Sequence, residues 1–84
     1  MKTLNTILGT VTITDVRMVL SSGYGQYRII IDFDFEGQNK VIGLNSTDSQ
    51  LFDLVNGKDN SADLLLQNAS YVIECAINDY INSL

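Results

Sequence analysis

The residues best placed to do chemistry are the carboxylates of Asp32-Phe33-Asp34-Phe35-Glu36-Gly37. Oxygen ligands at the first, third and fifth positions with glycine at the sixth open a calcium-binding EF-hand loop. The remainder does not follow that pattern. Asn39 occupies the apolar eighth position, Gly43 stands at the twelfth, where Glu would close the site, and the preceding residues alternate as a strand instead of repeating as a helix. Along a strand such carboxylates lie about 7 Å apart, too far for one ion without help from a neighbouring strand. No metal and no cofactor are expected. The chain has no His and a single Cys, Cys75, which removes the common zinc sites, the Ser-His and Cys-His nucleophilic pairs and the usual neutral-pH base. No catalytic residue is assigned, and the chain is read as not an enzyme.

The elements that position these carboxylates follow from periodicity. From Tyr27 to Glu36 the odd positions Tyr27, Ile29, Ile31, Phe33 and Phe35 are apolar, while Arg28, Asp32, Asp34 and Glu36 alternate with them and Ile30 is the exception. Period-two alternation marks a half-buried strand. Upstream, Val11 and Ile13 are apolar at odd positions and Val16, Met18 and Leu20 at even ones, a phase change that a β-bulge near Thr14-Asp15 accommodates. A turn at Gly23-Tyr24 then sets Leu20, Met18, Val16, Ile13 and Val11 opposite Tyr27, Ile29, Ile31, Phe33 and Phe35, every pair apolar on apolar. A second turn at Gly37-Gln38 would set Phe33 opposite Ile42 and Ile31 opposite Leu44.

Past Asn45 the pattern turns helical. Thr47 followed by Gln50 fits a capping box, and Asn56-Gly57 supplies a stop. A second helix starts at Asn60 or Ser61, with Asp63 in its first turn. In it Ala62, Leu65, Leu66, Ala69, Val72, Ile73, Ala76, Ile77, Tyr80 and Leu84 share one apolar sector. Residues 71–77 also resemble a strand, and helix is the reading adopted. The expected architecture is one α+β domain over residues 1–84: a three-stranded antiparallel β-meander (about 8–20, 26–36 and 39–45) packed against two C-terminal helices (about 47–56 and 61–83).

The net charge of −5 is unevenly placed. Residues 1–43 hold four cations and four carboxylates; residues 44–84 set Lys58 alone against six carboxylates. Such a chain repels phosphate backbones, so direct nucleic-acid binding is disfavoured and a basic protein surface is the expected partner. The candidate contact residues are Tyr24 at the first hairpin tip, Asp32, Asp34 and Glu36 on the outer sheet face, and Asp53, Asp63 and Glu74 on the helices. A second seam, Leu64, Tyr71 and Cys75 on the far side of the long helix, would serve self-association into a homodimer. A lone cysteine, a polar N-terminal segment and the lack of any apolar run near the roughly 18 residues needed for a membrane span lead to an expected cytoplasmic location.

In size, acidity and element order the chain resembles small phage proteins that inhibit CRISPR nucleases, particularly type II-A inhibitors. The resemblance covers residues 8–84 and no sequence motif. It implies a non-enzymatic inhibitor that presents acidic side chains to the basic, nucleic-acid-reading surface of a CRISPR nuclease in the host cytoplasm. The alternative expectation, from a different class, is a small structural or self-assembling protein with no inhibitory role.

Overall fold

A computed structural model describes residues 2–6, 8–21 and 25–84. The fold is α+β, an antiparallel sheet covered on one face by helices. Four strands, β1 (Lys2–Thr6), β2 (Gly9–Leu20), β3 (Tyr27–Phe35) and β4 (Gln38–Ser46), lie in the order β1-β2-β3-β4. Three helices follow: α1 (Ser49–Val55), α2 (Ser61–Asn68) and α3 (Ser70–Asn82). The described residues thus hold one strand and one helix more than the sequence predicts.

The additional strand is β1. Of its five residues only Leu4 is apolar and packed toward the core, opposite Val11, so no alternation announces it. Its hairpin with β2 closes on Thr6 and Gly9. The Thr6 hydroxyl donates to the Gly9 carbonyl at 2.6 Å and accepts from the Leu8 N–H at 3.3 Å.

The β2–β3 register matches the sequence reading pair for pair, from Leu20 opposite Tyr27 to Val11 opposite Phe35, with the irregularity between Ile13 and Asp15. The bulge has a structural result: Val11 and Ile13 before it and Val16 and Met18 after it are all buried. Gly23 and Tyr24, the expected turn, lie outside the described residues. Just inside that turn, the Ser21 N–H donates to the Gln26 carbonyl at 3.0 Å.

The β3–β4 register differs from expectation by two residues. Phe33 faces Lys40, Ile31 faces Ile42 and Ile29 faces Leu44. The cause is the turn, which is Glu36-Gly37 and closes on Phe35 opposite Gln38. Both turn residues have positive φ, 54° and 76°, the mirror-image conformation whose twist suits a two-residue hairpin. Because the slip is an even number of residues, Ile42 and Leu44 keep their core-facing side and pack against the core half-buried.

Asp48, rather than Thr47, caps α1: its carboxylate accepts the Leu51 N–H at 2.9 Å. A charged acceptor makes the stronger cap, and caps of this kind contribute about 1 kcal/mol. Asn56 ends the helix and Gly57 follows at φ 74°. The long second helix is divided at Ala69, whose φ of −130° and ψ of 25° separate α2 from α3. Neither Gly nor Pro causes this bend. The Asn68 side-chain amide donates to the Leu64 carbonyl at 2.8 Å, the local competition with helical bonding that Asn offers. Residues 71–77 are helical.

The bend changes which residues of α3 face the sheet. Leu65, Ala69, Ile73 and Ile77 are buried as predicted, but Ile81 joins them while Val72 and Leu84 are exposed. The helical row closes onto Val11, Ile13, Val16, Met18, Ile29, Ile31, Phe33 and Phe35 of the sheet, with Val55 of α1. Phe33 meets Tyr80 edge to face at 5.8 Å between ring centroids, and Tyr27 stacks on Phe52 at 4.5 Å. Each fully buried aliphatic or aromatic side chain contributes about 1.5–3 kcal/mol, so the two layers stabilise one another. Among the described residues no helix is long and apolar enough to cross a membrane.

Candidate functional site

The helices cover the core side of the sheet and leave its other face to solvent. The bulge turns Asp15 onto that outer face opposite Asp32, which would juxtapose two like charges. Arg17 resolves the conflict. Its Nη1 stands 2.8 Å from Asp32 Oδ2 and 3.3 Å from Asp15 Oδ2. The hydrogen bond to Asp32 is the main cause that holds the Arg17 guanidinium above its ordinary pKa. Asp32 is the more sheltered partner, with 21% of its side chain exposed, and Thr14, pushed out by the bulge, donates its hydroxyl to the Asp32 carbonyl at 3.2 Å.

The acidic stripe of the sheet is therefore shorter and more occupied than its sequence suggests. Asp34 accepts from Asn39 Nδ2 at 3.2 Å. Glu36 leaves the strand, because β3 ends at Phe35 and Glu36 belongs to the turn. The first, third and fifth carboxylates thus do not share one strand face. The guanidinium on Asp32 also places a cation where a metal ion would have to approach.

Arg28 lies on the same outer face. A Cβ at position 43 would stand 2.7 Å from its Nε, so Gly43 gives the guanidinium room to lie flat across β4, where Nη1 donates to Asn45 Oδ1 at 3.3 Å.

The helical layer has another character. Asp53, Asp59, Asp63 and Asp79 are exposed, as is Lys58, and Glu74 is half-buried. Of the carboxylates singled out from sequence, Asp53 and Asp63 sit in separate short helices joined by the connector that contains Asp59. Asp59 and Asp79 belong to the same exposed acidic set; no motif marks them individually, and their signal is the charge imbalance of residues 44–84. Tyr24 lies outside the described residues.

The seam of Leu64, Tyr71 and Cys75 does not form one stripe. Leu64 is on α2 and packs, half-buried, against the core, whereas Tyr71 and Cys75 are on α3 beyond the bend at Ala69. Tyr71 is 78% exposed. Hydrogen bonding with Cys75, followed by the charge of its thiolate, holds the Tyr71 phenol above its ordinary pKa.

Asp48, Gln50, Leu51, Leu54 and Asn68 line an open cleft of about 260 Å³ between α1 and the end of α2. It falls short of the roughly 300–1,000 Å³ of a small-molecule site and lacks the enclosure such sites have. No protein-family model, curated protein or solved structure matches the chain.

Proposed function

We propose that this chain is a non-enzymatic protein-binding inhibitor of the phage anti-CRISPR kind, acting in the cytoplasm by occupying a basic surface of a CRISPR nuclease. The observation that carries this reading is the partition of charge between the two layers. Carboxylates on the sheet are engaged by Arg17 and Asn39, while the helical side displays Asp53, Asp59, Asp63 and Asp79 to solvent beside a single cation, Lys58. Asp53, Asp63 and Asp79 are carried on helices that share a core with the sheet, which holds their spacing. A rigid acidic surface of this kind speeds encounter with a cationic partner and orients it.

The test is DNA cleavage by a guide-loaded type II-A nuclease in the presence of the purified chain. The expected result is loss of cleavage at low ionic strength that weakens steeply as salt rises, and a weaker inhibitor on charge reversal by Asp53→Lys with Asp63→Lys. Full cleavage at molar excess of the chain and low salt would overturn the proposal.

A further inference from the structure

The sheet has two edges, and they are not alike. β1 spans five residues and β4 nine. In a two-residue hairpin the closing pair exchanges both backbone hydrogen bonds, and bonded pairs then recur at every second residue. Closure on Phe35 and Gln38 therefore turns the backbone groups of Gln38, Lys40, Ile42, Leu44 and Ser46 toward β3. Side-chain bonds agree with this parity: Asn39 reaches the Phe33 carbonyl on the β4 side, at 3.4 Å, and Thr14 reaches the Asp32 carbonyl on the β2 side. The N–H and C=O groups of Asn39, Val41, Gly43 and Asn45 consequently point to the open edge.

Protein sheets usually blunt such an edge with proline, a bulge, several charges or a very short strand. Of the devices known to blunt an edge, β4 carries only one lysine, Lys40, on its core-facing side with Ile42 and Leu44. The chain contains no proline, the β3–β4 register is unbroken, and Lys40 is the single charged residue of the strand.

We propose that β4 pairs antiparallel with β4 of a second copy of this chain, about a two-fold axis at Ile42, joining two four-stranded sheets into one. Only registers that set outward residues against outward residues make these bonds, and the one centred on Ile42 overlaps the whole of Gln38–Ser46. It places Val41 opposite Gly43 of the second copy and Asn39 opposite Asn45. The pattern is self-complementary. Val41, 57% exposed in the single chain, meets the residue without a side chain, over which the Arg28 guanidinium lies. On the other face the half-buried Ile42 meets its own counterpart, and Lys40 faces Leu44 instead of a like charge. Isologous contacts of this type close on themselves and stop at a dimer.

Sedimentation equilibrium of the intact chain is expected to give twice its 9.3 kDa mass, with little dependence on salt. Val41→Pro removes an outward N–H and no bond to β3, and is expected to weaken the dimer by about tenfold or more. Tyr71→Asp is expected to leave it intact. Cysteine scanning reads the register without relying on a destabilising change. In a Cys75→Ser background with oxidised glutathione, Ile42→Cys is expected to cross-link, since unbonded antiparallel pairs bring Cα atoms to about 4.5 Å, within disulfide reach. Lys40→Cys alone is not, whereas Lys40→Cys combined with Leu44→Cys is. A mass of 9.3 kDa for the natural sequence, a dimer indifferent to Val41→Pro, or cross-linking at position 40 as ready as at 42 would overturn the proposal.

Discussion

The outer sheet face and the helical layer both present carboxylates, yet the same side chain is available on one and committed on the other. Neighbouring strands lie about 4.8 Å apart, so a residue on a sheet face always has cross-strand neighbours within reach. Asp15 and Asp32 are brought opposite one another and Arg17 binds both. Asp53 and Asp63 project from short helices whose packed sides are held by Val55 and Leu65. Their solvent side imposes no partner. Counting charge along a chain thus says how much there is, while the element beneath each residue decides whether it is already neutralised.

The two layers share one core, and the largest effect is expected from breaking it. Ile73 is fully buried between α3 and the sheet. Ile73→Ala is expected to lower stability by about 2–5 kcal/mol through lost burial and the cavity left behind. Denaturant unfolding followed by far- and near-ultraviolet circular dichroism should show a single earlier transition. Loss of helical signal ahead of the sheet would mean that the layers are independent. At the small end, Arg17→Ala is expected to change stability by no more than about 1 kcal/mol, because the Arg17 and Asp15 side chains are about half exposed to screening solvent. Its value is as a sharpening tool, since it leaves Asp15 and Asp32 without their cation.

What could be read from sequence alone follows from how loudly each feature is encoded. The β2–β3 pairing was fully legible because two runs of apolar residues, one with a phase change, can be matched in only one way. β1 was silent because Leu4 is its single apolar residue. The β3–β4 turn was misplaced because Glu36 adopts φ 54°, a conformation that Gly, Asn and Asp advertise and Glu does not. The bend at Ala69 likewise has no breaker residue to mark it. For the candidate site, charge imbalance pointed to the helices, but the occupation of Asp32 by Arg17 required the bulge that brings Asp15 opposite it. The division of Leu64 from Tyr71 and Cys75 required the bend.

Amide chemical-shift mapping of the chain titrated with a lysine-rich peptide at low salt tests the contrast most directly. The expected result is shifts gathered around Asp53, Asp59, Asp63 and Asp79, fading near physiological ionic strength, where the screening length falls to about 8 Å, and spreading to Asp15 and Asp32 only in Arg17→Ala. Shifts centred on Asp32 and Asp34 in the natural sequence would show that the sheet, not the helical layer, carries the available carboxylates.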